Sequence, residues 1–434
     1  MPARNPADPD PNPDETPAPI PPSERSERLT TRCCIAGGGP AGMMLGFLLA
    51  RAGVDVVVLE KHADFLRDFR GDTLHPSTLE LMHELGLLDD LLREPHQKVS
   101  RIGGFFSRRF YPIADFSHLP TRCQYIAFMP QWDFLNFLAE KAKRYPTFHL
   151  RMESEVSDLI RKDGKMAGLR ARTPEGELEV RAELVIGADG RGSTVRERVE
   201  LRVTDFGAPI DVLWFRLSKK GSDPEQSFGY IGQGQMMVLL DRGDYWQCGL
   251  IIPKGGFAAI RERGLEPFRE SVGRLAPFLE GRLDELGSWE VIRLLTVKVD
   301  RLAQWHRPGL LCIGDAAHAM SPVGGVGINL AIQDAVAAAN LLCDPLRHGT
   351  LSEQDLEKVQ RRREFPTRMT QRVQIFLHRR FLSRVFEEKK PMAPPCLVRL
   401  LARFPLLRRI PARLIGIGFR AEHIGTGAVG AEGR

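Results

Sequence analysis

The sequence predicts a mixed α/β fold (α+β overall), in which a parallel sheet with flanking helices is joined to an antiparallel sheet and a helical C-terminal region. Residues 32–60 have the pattern of a short apolar strand, a helix of small and apolar residues, and a second apolar strand. This strand–helix–strand unit implies a parallel sheet. Residues 236–241 and 246–252 are alternating segments separated by a glycine-containing turn, which predicts antiparallel strands. Helical patterns from residue 353 onward predict the C-terminal region.

Changes in composition divide the chain into four parts. Residues 1–28 contain nine prolines, and such a segment cannot bury enough apolar surface to offset its ordering entropy, so we expect a disordered arm. A PxxP ligand is the alternative for this arm. The rest is expected to form a discontinuous nucleotide-binding domain (29–204 and 296–345), an antiparallel-sheet domain (205–295) and basic C-terminal helices (346–434).

The composition also excludes several classes of protein. A chain of 434 residues is long enough for two packed domains, and a formal charge of +6 is too small to indicate a nucleic-acid-binding face. No apolar run reaches the ~18–20 residues that span a bilayer, and the N-terminus lacks the apolar core of a secretory signal. Seven cysteines occur without metal-ligand spacing, with Cys33 and Cys34 adjacent in an apolar strand. We expect a cytoplasmic protein with structural thiols, no transmembrane segment and no metal site.

The sequence Gly-Gly-Gly-Pro-Ala-Gly at residues 37–42 satisfies GxGxxG and lies between the first strand and the helix. Gly37 permits the tight turn, Gly39 lets the backbone approach a pyrophosphate, and Gly42 lets the helix pack against the strand. The helix N-terminus offers N–H groups to a diphosphate. Glu60 ends the second strand, 18 residues after Gly42, where a carboxylate can accept hydrogen bonds from a ribose. These features predict a Rossmann-like dinucleotide site.

A second GxGxxG match shows how little the bare motif indicates. Residues 425–430 satisfy it, but no strand precedes them and no helix follows. Because the dinucleotide fingerprint needs a strand before the glycines and a helix after them, we interpret this match as a flexible tail.

Four further segments place polar or glycine residues where elements begin or end. Arg70 follows the second strand, Gln131 begins an amphipathic helix, and Asp189 follows a buried-type strand in Gly-Ala-Asp-Gly. Taken singly, Arg70 would normally be a solvated surface charge, and Gln131 is more often a helix-start residue than a ligand. Asp189, taken singly, is as often part of an ordinary strand-terminating turn as of a ligand site. Residues 314–329 join an apolar strand to an alanine-rich helix through a turn with several glycines.

In this order and spacing, the five motifs resemble the flavoprotein aromatic hydroxylases of the p-hydroxybenzoate hydroxylase type, class A flavoprotein monooxygenases that include the ubiquinone-biosynthesis hydroxylases. The resemblance covers roughly residues 30–345. It implies that the nucleotide is FAD, held as a redox prosthetic group, and that residues 205–295 form a substrate domain. The glycine loop would hold the FAD pyrophosphate, and Glu60 would hold the adenosine ribose.

The resemblance implies a role for each later motif. Arg70 would lie near the FAD phosphates and Gln131 near the ribityl chain. Asp189 and Gly190 would serve both FAD and NAD(P)H, and Asp315 would bind the ribityl hydroxyls. The candidate cofactor-binding residues are Gly37, Gly39, Pro40, Ala41, Gly42, Glu60, Lys61, Arg70, Gln131, Val156, Asp189, Gly314, Asp315, Pro322, Gly325, Gly327, Ile328 and Asn329.

The start of the alanine-rich helix has a physical reason to face the flavin. By the same resemblance, Pro322 would flank the flavin ring, and the backbone of residues 327–329 would face its pyrimidine edge. Reduced flavin carries negative charge near N1 and C2=O, and a helix N-terminus stabilises such charge through fixed dipoles.

The implied reaction is a hydroxylation. NADPH or NADH would reduce the flavin, O₂ would add at C4a, and the hydroperoxide would hydroxylate an aromatic or polyketide-like small molecule. No second strand–GxGxxG–helix unit occurs for a nicotinamide, which is expected if NAD(P)H binds transiently or if the electrons come from elsewhere.

The alternatives to a hydroxylase are a reductase or halogenase of the same fold, or a non-catalytic binding protein of the GDP-dissociation-inhibitor type. Residues 246–253 lack the second tryptophan of the halogenase WxWxIP segment, and the intact Gln131 and Gly314-Asp315 disfavour the binding protein.

The sequence does not assign specific functional residues to the substrate wall or to the C-terminal helices. Tyr230, Gln233, Met236, Trp246 and Gln247 are wall candidates by position, although most such residues in strands are core. No catalytic residue is assigned, because no tyrosine or histidine relay can be identified.

Asp72 and His75 follow Arg70, and the segment that contains them either reaches the pocket or caps a helix. Leucines and arginines alternate near the C-terminus, which predicts either an amphipathic cover on the sheet or a membrane-surface patch for access to a lipophilic substrate. The oligomeric state is left open.

Overall fold

The computed structural model describes residues 26–66, 73–106, 109–224, 228–232, 234–387 and 393–428. It confirms the mixed α/β fold. A π-helical turn, His378–Leu382, follows the ninth helix directly. The helices are α1 (Pro40–Arg51), α2 (Pro76–Glu84), α3 (Leu88–Leu91), α4 (Gln131–Ala142), α5 (Thr194–Arg198), α6 (Phe257–Arg263), α7 (Leu265–Leu275), α8 (Val326–His348), α9 (Glu353–Leu377), α10 (Ser383–Glu387), α11 (Cys396–Arg403) and α12 (Arg409–Gly416).

The strands form two large and two small sheets. They are β1 (Ser26–Ala36), β2 (Val56–Leu59), β3 (Thr73–Leu74), β4 (Gln97–Val99), β5 (Arg101–Phe106), β6 (Arg109–Asp115), β7 (Ile126–Phe128), β8 (Phe148–Arg151), β9 (Glu155–Lys162), β10 (Lys165–Thr173), β11 (Gly176–Gly187), β12 (Val203–Asp205), β13 (Ile210–Ser218), β14 (Phe228–Gly232), β15 (Gln235–Asp241), β16 (Tyr245–Pro253), β17 (Arg293–Leu295), β18 (Asp300–Leu302), β19 (His306–Arg307), β20 (Leu310–Cys312) and β21 (His318–Ala319).

The first large sheet has five parallel strands in the order β20-β11-β1-β2-β8, with antiparallel β19 at one edge and the β9–β10 hairpin attached to β11. The predicted strand–helix–strand unit is confirmed as β1-α1-β2. Helix α1 packs closely on this sheet because its inner face is small: a Cβ on Gly46 would lie 2.8 Å from Val58 Cγ2. The loop from β1 to α1 therefore lies at the carboxyl edge of the parallel strands, where α/β folds bind ligands.

The second large sheet has seven strands in the order β17-β13-β16-β15-β14-β5-β6. Its strands β5 and β6 lie within residues 29–204, so assigning that whole range to the nucleotide-binding domain is wrong. The sheet is also not purely antiparallel, since β14 pairs in parallel with β5 through Tyr230 and Phe105. Alternation of apolar residues identifies a strand, but it does not identify a partner more than a hundred residues away.

Strand β1 begins earlier than the proline pattern predicts. Residues 26–28, assigned above to the disordered arm, belong to β1, where Ser26 pairs with Glu177 and Arg28 with Glu179. This end of β1 has exposed side chains at residues 27 and 28, so its sequence looks like a polar loop although its backbone pairs with β11. Residues 1–25 lie outside the described residues.

Helix α8 and the turn before it, Val323–His348, are long and apolar enough to cross a membrane by length and composition. Within the protein, 72% of the most apolar 18-residue window of that stretch is buried. It also contains Asp334, which is fully buried and paired with other buried side chains. The packing of α8 is therefore that of a core helix.

The C-terminal segment after α12 is more ordered than a flexible tail. The Gly425 N–H donates to Asn340 Oδ1 at 2.8 Å, and Arg51 Nη1 donates to the Thr426 carbonyl oxygen at 2.7 Å. Residues 425–428 contain no helix or strand, as predicted, but they pack on α1 and α8. Gly430 lies outside the described residues.

Candidate flavin site

The glycine loop between β1 and α1 contains two close contacts and one open position. Gly37 has φ +101°, and a Cβ there would lie 2.5 Å from the Ala188 carbonyl oxygen. A Cβ on Gly42 would lie 2.0 Å from the Gly37 carbonyl oxygen. These two positions therefore require glycine. A Cβ on Gly39 would have no heavy atom within 4 Å, so there is room for a bound group against the backbone.

The N-terminus of α1 adjoins this open position. Gly39 is the N-cap, Pro40 is the first helical residue, no side chain caps the helix, and its first turn contains no acidic residue. The first N–H groups of the helix, including that of Ala41, have no acceptor within the helix. Such an N-terminus binds anions through its N–H groups and its dipole, so the geometry fits the diphosphate of a dinucleotide.

Glu60 lies directly after β2 and is oriented by backbone donors. The side chain is buried, and its Oε2 accepts the Gly38 N–H at 2.9 Å while Oε1 accepts the His62 N–H at 3.1 Å. These two bonds hold the carboxylate beside the glycine loop, as a ribose-binding acid requires.

Two further candidates lie beside Glu60. Lys61 is the next residue and is exposed. Val156 is half-buried in β9, two residues after Ser154, whose N–H donates to the Glu60 carbonyl oxygen at 2.8 Å. The fold thus brings all three to one edge of the parallel sheet.

Asp189 follows β11, on the opposite side of the glycine loop from Glu60. Its carboxylate accepts the Ser193 hydroxyl at 2.5 Å and the Val195 N–H at 3.1 Å, so it holds the start of α5. Burial raises the pKa of Asp189 above its usual range. Gly190 beside it has φ +83°, and a Cβ there would meet no heavy atom within 4 Å. A direct contact between Asp189 and a cofactor stays a prediction.

Asp315 lies on a short turn that the fold places against the start of α1. Gly314, with φ +59°, is packed between helices: a Cβ there would lie 3.1 Å from Ala41 Cβ. The Asp315 carboxylate accepts Arg191 Nε at 3.0 Å, and both side chains are about 30% exposed (28% for Arg191, 32% for Asp315). Arg191 Nη1 is buried and has no hydrogen-bond partner among the described residues. We did not predict Arg191, whose only sequence signal is a basic residue inside the Asp-Gly turn.

The turn before α8 is locked to the segment around β3. Gly324 and Gly325 have φ of +82° and +63°, and a Cβ on Gly325 would lie 2.4 Å from Thr73 Oγ1. The buried Asn329 amide oxygen accepts the His75 N–H at 2.8 Å and the Thr78 hydroxyl at 2.7 Å. Its amide nitrogen donates to the carbonyl oxygens of Thr73 at 2.9 Å and Gly325 at 3.1 Å.

The N–H groups at the start of α8 remain available for a ligand. No side chain caps α8, and its first turn contains no acidic residue. The N–H groups of Gly327 and Ile328 have no acceptor within the helix, whereas the Asn329 side chain is used entirely to hold the turn. The backbone, rather than this side chain, is therefore the part of the turn that can face a flavin.

The structure supports the placement of Gln131 and does not describe Arg70. Gln131 is the first residue of α4, directly after β7 and Pro130. Strand β7 pairs with β3, where Phe128 is opposite Thr73, so Gln131 lies near the turn before α8. Arg70 lies outside the described residues, as does Asp72.

A buried ionic network behind the Gly314 turn was not predicted. Asp334 Oδ2 accepts the Gly314 N–H at 3.1 Å and lies 2.6 Å from His318 Nε2, while Oδ1 accepts Arg363 Nε at 2.9 Å. Arg363 also donates to Glu422, at 3.1 Å. Burial alone would raise the pKa of Asp334, but its pairing with His318 and Arg363 outweighs burial and lowers it. The available sequence signal was an aspartate in the most apolar part of helix α8.

A family model described as the FAD binding domain matches residues 30–373. The chain belongs to this family. The match covers every motif of the candidate site and confirms FAD as the cofactor.

Several relatives of this chain are named as monooxygenases. The chain is 34% identical over 398 residues to 6-methylpretetramide 4-monooxygenase from Streptomyces rimosus. This alignment covers 90% of the present chain and 94% of that protein. The chain is also 31% identical over 331 residues to 12-dehydrotetracycline 5-monooxygenase/anhydrotetracycline 6-monooxygenase from Streptomyces rimosus subsp. rimosus. That alignment covers 70% of the present chain and 60% of the relative. For three other relatives, the chain spans 59–63% of their length. The chain is thus a FAD-dependent oxidoreductase of the monooxygenase class.

Solved structures confirm the fold of the flavoenzyme. The p-nitrophenol 4-monooxygenase from Pseudomonas putida has a TM-score of 0.73 at 20% identity, over 91% of this chain and 100% of that one. The myxobacterial chondrochloren halogenase has a TM-score of 0.71 at 20% identity, over 92% of this chain and 100% of that one. The fold by itself therefore does not distinguish oxygen transfer from halogenation.

The second sheet of the flavoenzyme has one apolar face that packs against Val323 and against residues 381–386. We call this face the inner wall. It packs against Val323, next to the predicted flavin-flanking Pro322, and against Leu382 of the π-helical turn. Its central residues are Val212, Trp214, Met236, Val238 and Ile251.

The inner wall contains some of the wall candidates and excludes others. Met236 lies on it, and Gln247 pairs with Leu240 of the same face. Trp246 and Tyr230 point the other way, into a separate core with α7, so they do not lie on the inner wall. Trp246 Nε1 donates to Asp223 there, at 2.9 Å. Gln233 lies outside the described residues.

The long helix α9 holds the segment next to the inner wall. The Gln374 amide donates to the carbonyl oxygens of Ser321 and Val323, both at 3.0 Å, and accepts the Ser321 N–H at 3.1 Å. The Ser321 hydroxyl lies 2.9 Å from His378 Nε2. Pro322 is therefore positioned by contacts on both sides, from residues more than fifty positions away.

His75 neither caps a helix with its ring nor lines the inner wall. It is the N-cap residue of α2, but its side chain makes no capping bond. Instead, the buried ring Nδ1 lies 2.7 Å from the Ile415 carbonyl oxygen in α12, and burial lowers the pKa of His75 to about 4. His75 therefore connects the flavin-side segment to the C-terminal helices.

The described residues contain no group of three or more His, Cys, Asp or Glu side chains that could hold a metal ion. The cysteines are free thiols, and all except Cys396 are buried. Burial raises the pKa of Cys34 above its usual range, as it does for Cys33, which fits a structural role for this pair.

Proposed function

We propose that this flavoprotein hydroxylates a polycyclic aromatic, polyketide-type small molecule and uses NADPH or NADH as its reductant. The observation that carries the proposal is the 34% identity to 6-methylpretetramide 4-monooxygenase, which extends over 94% of that relative's length. A second relative at 31% identity acts, by its name, on 12-dehydrotetracycline and anhydrotetracycline. The names of these two relatives give 6-methylpretetramide and tetracycline derivatives as substrates, and partly exposed apolar side chains of the inner wall, Met236, Val238 and Leu240, offer contact area for a molecule of this kind.

The chain's own residues would bind and orient the cofactor. The glycine loop and the start of α1 would bind the FAD diphosphate, Glu60 the adenosine ribose, and Asp315 with Gln131 the ribityl chain. The start of α8 would direct its N–H groups at the pyrimidine edge of the flavin and stabilise negative charge there. When bound, FAD supplies oxygen activation at its C4a position and the transfer of one oxygen atom.

The inner wall would exclude water and hold the substrate's rings against the flavin face. The partly exposed side chains Met236, Val238 and Leu240 would provide contact area without competing polar groups. We assign no residue as the base that deprotonates the substrate.

The nicotinamide cofactor would bind transiently to the FAD-loaded protein. In support, the described residues contain one strand–glycine loop–helix unit with the dinucleotide fingerprint, and the proposed FAD site uses it. We also propose a cytoplasmic location, which free thiols in the described residues support.

The decisive experiment measures NADPH and NADH oxidation under oxygen with simple phenols and with fused-ring aromatic polyketides, followed by product mass spectrometry. We expect a yellow protein whose nicotinamide oxidation is accelerated by a fused-ring substrate, with a product heavier by one oxygen atom. Reduction or halogenation of the substrate would overturn the hydroxylase proposal. A colourless protein that FAD cannot reconstitute would overturn the cofactor assignment.

A further inference from the structure

The C-terminal helices expose an unusual concentration of large hydrophobic side chains. Fourteen such side chains are exposed among the described residues, and six of these fall within 18 consecutive positions. Their exposed fractions range from 37% to 69%. We call them the C-terminal ridge: Leu397, Leu400, Phe404, Leu406, Ile410 and Leu414.

The spacing of the ridge shows that it is a continuous surface feature. Ile410 and Leu414 are four positions apart on α12, on the side opposite the buried Ala412 and Gly416. Leu397, Leu400 and Phe404 are three and four positions apart along α11 and its end, beside the buried stripe of Val398 and Leu401. Each helix therefore buries one apolar stripe in the protein and exposes a second.

The segment that carries the ridge has charges of one sign. Residues 393–420 contain six arginines and no aspartate or glutamate. Arg408 is used within the protein, where it donates to the Leu401 and Ala402 carbonyl oxygens, both at 2.8 Å. Four other arginines of this segment are exposed beside the ridge: Arg399, Arg403, Arg409 and Arg413.

This pattern selects one occupant for the ridge. An apolar stripe bordered by arginines is the feature by which interfacial helices bind anionic lipid surfaces. A symmetric contact with a second copy would bring arginines against arginines, because residues 393–420 offer no acid to pair with them. We propose that the C-terminal ridge docks the protein on an anionic membrane surface.

The ridge is linked to the substrate side of the protein. Val398 of α11 packs with Phe106 and Ile231 in a cluster that Met236 of the inner wall also contacts. Ile415 of α12 binds His75, whose N–H is held by Asn329 at the start of α8. Membrane docking would therefore bring the edge of the inner wall close to the lipid surface. Only this consequence, access for a lipophilic substrate, rests on the proposed function.

The test is sedimentation of the full, FAD-loaded chain with vesicles of phosphatidylcholine, with and without phosphatidylglycerol. We expect the protein to sediment only with the anionic vesicles, and we expect the bound fraction to decrease as the salt concentration is raised. The double variant Arg409→Gln/Arg413→Gln should weaken binding about thirtyfold, since each arginine at such a surface contributes about a factor of five. Leu406→Ser/Ile410→Ser should weaken it about tenfold or more.

Two matched variants serve as controls. Arg409→Lys/Arg413→Lys keeps the charge and should keep the binding, and Val291→Ser/Leu294→Ser removes exposed hydrophobic residues at a distant site and should have no effect. The flavin spectrum of each variant reports whether it is folded. Equal affinity for neutral and anionic vesicles, or unchanged binding by both ridge variants, would overturn the proposal. An absence of vesicle binding would also overturn the proposal. This includes the outcome in which the ridge variants abolish a dimer, or binding to an acidic protein, and the wild type does not bind vesicles. Vesicle binding is measured without turnover, so its failure would leave the proposed hydroxylation untouched.

Discussion

The two helix N-termini of the candidate flavin site differ in how the protein supports them. The start of α1 is open, because a Cβ on Gly39 would meet no heavy atom within 4 Å. The start of α8 is clamped, because Gly325 lies against Thr73 and the Asn329 amide makes four hydrogen bonds. An anion-binding N-terminus needs space, whereas one aimed at a single edge of a ring needs a fixed position. Substitutions at the two sites should therefore affect different properties.

Gly39→Val should have the largest effect on cofactor binding. The added side chain would fill the open position, so we expect FAD binding at least about 100-fold weaker. The loss of stability should be about 1 kcal/mol, the usual cost of a poor N-cap. Flavin absorbance after gel filtration and a thermal melt measure the two effects. Gly287→Val, at another open position, is the control and should stay yellow; a yellow Gly39→Val protein would contradict the assignment.

Asn329→Ala should show the opposite behaviour, with a large loss of stability. It removes a buried side chain and leaves the Thr73 carbonyl oxygen and the His75 N–H without their partner, so we expect about 4 kcal/mol of destabilisation. Asn340→Ala is the matched control on the same helix, because its two hydrogen bonds to residues 423 and 425 are exposed. It should cost about 1 kcal/mol or less. Denaturant unfolding measures both, and equal losses would show that the turn before α8 is not clamped.

His75 should make the stability of the clamped side depend on pH. Its pKa is about 4 in the folded protein and ordinarily 6.5, so only the unfolded chain binds a proton between these values. The unfolding free energy should therefore fall as pH decreases from 6.5 to 4, by about 2–3 kcal/mol from this group. His75→Gln should flatten this slope, and His83→Gln, an exposed change on the same helix, should leave it as it is. Unfolding midpoints measured across this pH range test it; identical slopes in all three proteins would refute it.

Asp315→Ala should give the smallest effect, a partial loss of FAD. The residue lies between the two helix starts, and loss of a charged acceptor for the ribityl hydroxyls should weaken FAD binding about tenfold. The fold should tolerate the change, since the ion pair with Arg191 is partly exposed and contributes about 1 kcal/mol at most. Flavin occupancy after dialysis is the measurement. Asp315→Asn keeps an acceptor and should retain more flavin than Asp315→Ala; equal occupancy in both and in the wild type would remove Asp315 from the site.

The sequence by itself determined the features that depend on local geometry. Gly37 and Gly42 were predictable because a positive φ and a close helix–strand contact are properties of a six-residue turn. The order and spacing of the five motifs along the chain were enough to identify the FAD-dependent family. The arrangement of β1, α1 and β2 follows from the periodicity of their hydrophobic residues and from the right-handed crossover that strand–helix–strand units adopt.

Only the tertiary structure decided which distant residues meet. Alternation along β16 shows that Trp246 and Gln247 point in opposite directions, but not which direction is inward, because either face of a strand can be the buried one. The addition of β5 and β6 to the second sheet, the Arg191–Asp315 pair and the Asp334–Arg363–Glu422 network all join residues far apart in the chain. Such contacts depend on how whole elements pack, and that information is not contained in any local stretch of sequence.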